Sequence, residues 1–134
     1  MRLALLRVAG VMAILALSAT AFAQFGHPLD GQWSGGWGKD GANRLLLDLD
    51  WDGKEITGTI NPGANAATVK KVTFDFSNPE AWGVKIEAEG KDPSGKSVQI
   101  IADGKLENIG AYTKIFRGTW TQGSQKGAFL VTKN

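Results

Sequence analysis

The chain has no cysteine. Disulfide staples are therefore excluded, and so are thiolate nucleophiles and thiolate metal ligands. It has one histidine, His27, which leaves few conventional transition-metal sites and removes Cys–His and most Ser–His catalytic arrangements. A Ser–His pair using His27 stays open, but no G-x-S-x-G elbow accompanies it. There is one tyrosine, Tyr112. After the first two dozen residues no apolar run approaches the ~20 residues of a membrane span. Helical periodicity is also scarce, with Ala64–Thr68 the one stretch that hints at it. Carboxylate pairs such as Glu87 and Glu89 alternate with Lys85 on a face that reads as solvated, not as two acids across a cleft. No metal and no cofactor is implied, and the composition points away from an enzyme.

The first residues form a unit of their own. Arg2 and Arg7 make a basic start, an apolar run extends from Val8 to Leu17, and Ala21-Phe22-Ala23 has the small-x-small pattern of a cleavage site. Residues 1–23 therefore read as a Sec-type signal peptide cut after Ala23, and the destination as periplasmic or secreted. The competing reading, an uncleaved anchor, is disfavoured by the shortness of the run and by the cleavage pattern. Removing residues 1–23 takes away two arginines and no acids, leaving 13 basic and 13 acidic side chains in 111 residues. With no net charge and no basic stripe, nucleic acid is not an expected partner. Residues 24–30, with His27-Pro28, are expected to be a flexible lead-in, and residues 31–134 a single domain. A chain of this size buries about two-thirds of its unfolded surface, enough for a core without staples.

The remainder alternates with period two, which is the strand signal. Leu45, Leu47, Leu49 and Trp51 share one face. Ile56, Gly58 and Ile60 follow, then Val72, Phe74 and Phe76, then Trp82, Val84, Ile86 and Ala88. Val98, Ile100 and Ala102 begin another strand, Phe116, Gly118 and Trp120 another, and Phe129 and Val131 the last. Turn chemistry separates them. Asp52-Gly53 reads as a two-residue hairpin. Asn61-Pro62-Gly63, Ser77-Asn78-Pro79, Lys91–Gly95 and Gln122–Gln125 read as further turns. Asp103-Gly104 fits either a turn or a glycine kink inside one long strand. The expectation is an all-β fold of about eight antiparallel strands in an up-and-down meander. With no helix to cover the apolar face, the meander closes into a small barrel, or else packs as a β-sandwich.

Five tryptophans and many glycines must then be accommodated. The first strand opens "GQWSGGWG", with Trp33 and Trp37 four apart and hence on one face. Large rings over glycine-rich backbone either plug the interior of a barrel or line a ligand cavity. A small barrel has little spare volume, which favours plugging. If a cavity exists, Trp37, Trp82, Phe116 and Trp120 are the candidates to line it.

Gly31-Gln32-Trp33 on a first strand, followed by a β-meander, resembles the G-x-W opening of the calycin barrels, the lipocalin and avidin group. The closing "FRGTWTQGSQKGAFLVTKN" is similar to the last hairpin of lipocalin-like domains in exported bacterial proteins. The resemblance implies that Gly31 and Trp33 form a structural barrel end, covered by a basic side chain from the last strands. Arg117 is the first candidate for that cover and Lys133 the second. A biotin-type site is not carried over, because the first strand is almost all Gly, Ser and Trp and offers few polar groups. Finally, "DLDWDG" from Asp48 to Gly53 starts like a calcium loop, but its twelfth position is Thr59 where a bidentate Glu is needed. The functional expectation is an exported, non-enzymatic module that binds a small apolar or amphipathic molecule. The alternative is a filled barrel that binds or modulates another envelope protein.

Overall fold

A computed structural model describes residues 26–133. The signal-peptide reading of residues 1–23 lies outside the described residues. Eight strands run in chain order: β1 Gly31–Trp37, β2 Asn43–Trp51, β3 Ile56–Ile60, β4 Ala67–Asp75, β5 Ala81–Lys91, β6 Ser97–Glu107, β7 Lys114–Gln122 and β8 Gln125–Lys133. Each is antiparallel to the next, and β1 also pairs with β8 through Ser34–Trp37 against Phe129–Thr132. The meander is thus a closed barrel and not a sandwich. Closure satisfies the backbone of the first and last strands, which would otherwise be exposed edges.

The alternation read from the sequence is the alternation of burial. Leu45, Leu47 and Leu49 of β2, Val84, Ile86 and Ala88 of β5, and Phe116 and Trp120 of β7 are buried, and their sequence neighbours face outward. Two strands depart from a plain reading. At β4 the hint of helix in Ala64–Thr68 is overridden. Ala67 pairs with Ile60, and a bulge at Lys70 moves the register between Val69 and Lys71. One extra residue resets the parity, so Val69 and Val72 both serve the interior although they are three apart. At β6 Asp103-Gly104 lies inside one continuous strand and is not a turn, with Gly104 opposite Gly118 of β7. A Cβ on Gly118 would lie 2.2 Å from the Asp103 carbonyl oxygen. Glycine here lets β6 and β7 approach and bend around the small circumference.

The turn after β2 is longer than the two residues expected. Asp52 Oδ1 accepts from Lys54 N (2.8 Å) and Glu55 N (2.7 Å), and Asp52 N donates to Glu55 O (3.2 Å). The carboxylate organises a four-residue loop over 52–55, which a tight two-residue turn has no room for. Asp48 and Asp50 stay on the outer wall of β2 and Asp52 belongs to this turn.

The register defines two ends. At one end lie the start of β1, the loops 52–55, 76–80 and 108–113, and the end of β8. At the other lie the end of β1, a 3-10 turn over Lys39–Gly41, and the loops 61–66, 92–96 and 123–124.

Candidate functional site

The lumen is occupied by a run of rings. Trp33 meets Phe116 edge to face (6.4 Å between centroids), Phe116 meets Phe129 (4.8 Å), Phe129 meets Trp120 (5.9 Å), and Trp120 stacks on Trp37 (6.0 Å, 27° between planes). All five are buried, and Trp37, the most exposed, is only 7% accessible. Edge-to-face contact at these separations is the favoured geometry for aromatic pairs. The Trp120 indole N–H donates to Gln122 Oε1 (3.1 Å), so even this polar atom is satisfied. The Trp37–Trp120 stack thus fills the end that the sequence left open. Of the four expected cavity residues, Trp37, Phe116 and Trp120 come together, but as packing. Trp82 lies at the opposite end.

The Trp33 end is built by the segment before β1. The sequence reads as a flexible lead-in over residues 24–30; within its described part, residues 26–30, Leu29 is fully buried over the barrel mouth. Its carbonyl accepts the Trp33 indole N–H (2.9 Å), and Asp30 Oδ1 accepts Trp51 N–H (2.9 Å). An apolar side chain and two directional bonds outweigh the entropy of a loose terminus here. The basic cover is Lys133, whose Nζ donates to the Asp30 carbonyl. Its stem crosses Gly31, where a Cβ would come within 2.9 Å of Lys133 Cε. Burial holds the Lys133 ammonium below the usual lysine range; Lys114 adds to this and Asp30 opposes it. Arg117 is not the cover. It sits between the inward Phe116 and Gly118 and so points outward, where its guanidinium clasps Glu107 (Nε–Oε1 2.9 Å, Nη2–Oε2 3.0 Å).

Beside this plug lies a cluster of partly exposed rings. Trp51 ends β2, Phe74 stands one residue from the end of β4, and Trp82 is the second residue of β5. Their inward parity brings them to one side of the mouth. His27 enters from the lead-in, with its ring 4.7 Å from Trp51, 5.1 Å from Phe74 and 6.2 Å from Trp82. Phe76 extends the wall, stacked on Phe74 (5.4 Å, 9°) and edge-on to Trp82 (4.8 Å), and it is 57% exposed. The hairpin tip between Phe76 and Trp82 is held by Asp75 Oδ1 accepting from Ser77 N (3.0 Å) and Asn78 Oδ1 accepting from Glu80 N (3.0 Å). Its other side borders a polar furrow with Asn78, Glu80, Glu107 and Asn108.

His27 is half-buried in this cluster. Its Nδ1 accepts the Leu29 amide N–H (3.1 Å), so the neutral ring carries its proton on Nε2. Burial pulls its pKa below the ordinary histidine value; Asp30 opposes the shift and Lys133 adds to it. Chemically the rim offers flat apolar faces, one imidazole, and polar groups alongside. Trp51, Phe74 and Phe76 were not singled out from the sequence. The available signal was aromatic residues on both arms of one hairpin next to its tip, Phe74 and Phe76 before it and Trp82 after it.

No family model, curated protein or solved structure matches this chain. The eight-stranded antiparallel closed barrel is compatible with a calycin-like architecture.

Proposed function

We propose that the chain is an exported, non-enzymatic binding module of lipocalin-like type whose ligand sits on the aromatic rim instead of in the lumen. The ligand class is small and amphipathic: an apolar face for Phe74, Phe76 and Trp82, and a polar part for the furrow beside them. Export rests on the leader pattern of residues 1–23, and lipocalin kinship on Gly31-Gln32-Trp33 together with the barrel. The observation that carries the rim reading is the contrast in packing. Five rings fill the interior, while Phe76 stays 57% exposed although it is locked between two other rings. A rigid, pre-formed apolar face open to solvent is what small-molecule recognition uses.

The test is a titration of the mature chain with fatty acids, phospholipids, porphyrins and aromatic metabolites, followed by tryptophan emission. One class should quench or shift Trp51 and Trp82. Phe76→Ala should then weaken binding by about tenfold or more, equivalent to ~1.4 kcal/mol. Lack of response to every class would sink the small-molecule reading. Tyr112, 86% exposed on the 108–113 loop at the same end, favours a second reading in which this end docks on another envelope protein. Recovery of one protein from a periplasmic extract by wild type and not by Phe76→Ala, with no small-molecule response, would support it.

A further inference from the structure

We infer that residues 26–30 form an acid-released latch, in which His27 covers the Trp51–Phe74–Trp82 faces while neutral and withdraws when protonated, which extends the ligand surface from the already open Phe76 over these three rings. The inference concerns regulation of the site proposed above and takes its biological meaning from that reading.

The latch follows from one hydrogen bond and its position. His27 Nδ1 accepts the Leu29 N–H, and this bond exists only while Nδ1 has a free lone pair. Protonation turns Nδ1 into a donor and sets two N–H groups against each other in a half-buried place. The same short segment carries other contacts that seat the plug: the Leu29 carbonyl on the Trp33 indole, the Leu29 side chain in the mouth, Asp30 on Trp51 N–H and Lys133, and the Asp30 N–H on the His27 carbonyl (3.2 Å). Loss of the bond at Leu29 N therefore acts on the residue whose carbonyl and side chain close the barrel.

The surroundings decide the direction. The charged groups acting on His27 are Asp30 of its own segment, which favours the imidazolium, and Lys133 of β8, which opposes it. β2, β4 and β5 present the rings of Trp51, Phe74 and Trp82. Those ring faces attract an imidazolium, but they offer Leu29 N–H no acceptor to replace the one it loses. Burial also disfavours charge at this position, in keeping with the lowered pKa. The neutral latch is thus closed, and the protonated one is relieved by moving toward water, which leaves the three rings uncovered.

Amide and indole NMR of the mature chain between pH 7.5 and 4.5, with no ligand present, tests the latch separately from the binding reading. The Leu29 amide and the Trp33 indole N–H should shift with the same midpoint as the His27 ring protons, below the ordinary histidine value. The Trp120 indole, bonded to Gln122 at the other end, should stay in place. The emission of added 8-anilinonaphthalene-1-sulfonate should rise at least threefold over the same range. His27→Phe, which keeps a ring on the rim but has no titrating group, should show none of these changes. The proposal is overturned if His27 titrates while Leu29 and Trp33 do not move. It is equally overturned if Trp120 shifts together with them, which is general loosening, or if His27→Phe retains the transition. The wild-type titration decides the matter even if that variant fails to fold.

Discussion

Trp33 and Arg117 show how differently two single residues weigh in the same barrel end. Trp33 is inaccessible, packs on Phe116 and donates its only polar hydrogen to the Leu29 carbonyl. Trp33→Ala should cost about 3–5 kcal/mol, the usual range for a buried indole, measured by urea denaturation. Trp33→Phe keeps part of the packing and loses the hydrogen bond, so it should fall between wild type and the alanine variant. Arg117 forms a two-point pair with Glu107, but its side chain is 55% exposed and solvent screens the attraction. Arg117→Ala should change stability by less than about 1 kcal/mol. Lys133, and not Arg117, is the basic residue tied to the plug. Parity along β7 decides this, because Phe116 must face inward and its neighbour must then face out.

Among the elements, β6 and β7 tolerate little added volume where they cross. Their two glycines face each other at Gly104 and Gly118, and a methyl on Gly118 would fall 2.2 Å from a carbonyl oxygen and 2.4 Å from the Gly104 Cα. Both contacts are with backbone, so no side chain can turn aside to relieve them. Gly118→Ala should lower the melting temperature by an amount corresponding to about 1–3 kcal/mol or more. Thermal unfolding followed by far-UV circular dichroism measures it. Gly110, on the 108–113 loop, has open space at its Cβ position. Gly110→Ala should leave the stability within about 0.5 kcal/mol of wild type. The pair of variants separates a demand for close strand approach from a general dislike of losing glycine.

For the whole molecule, acid should act in two stages. His27 has a lowered pKa in the folded state, so the unfolded chain binds the proton more readily. The stability it contributes is fully present above about pH 6.5 and is lost as pH falls through the folded value. Asp52, Asp75 and Asp92 are also held low, chiefly by N–H groups of Glu55 and Ser77 for the first two and by the Ser94 hydroxyl for the third. Their contribution is present above the ordinary aspartate value and is lost as pH falls through still lower folded values. All three lie at exposed turns, so this second stage should be shallow. Melting curves at pH 7.5, 5 and 3 should show a first drop that His27→Phe abolishes and a second that it leaves in place. A single drop confined below pH 4 would contradict the assignment of the first stage to His27.

The local pattern by itself determined the class and order of elements. Alternation in Leu45–Trp51, Trp82–Ala88 and Phe116–Trp120 specifies strands, because successive side chains of a strand face opposite ways. Turn residues between them specify a meander, and the lack of a covering helix leaves a closed barrel or a β-sandwich, a choice made by the pairing of β1 with β8. Three further matters needed the tertiary structure. The bulge at Lys70 was hidden because one inserted residue breaks the parity that the reading relies on. The separation of Trp82 from Trp37 and Trp120 is hidden because period two reports which face a residue is on, not how far along the barrel axis it stands. The order of the lead-in has no local signal because Leu29 and His27 lie outside any periodic run. Their order comes from Trp33, Trp51, Phe74 and Lys133, which are distant in sequence and meet at one mouth only once β1 has paired with β8 and the barrel has closed.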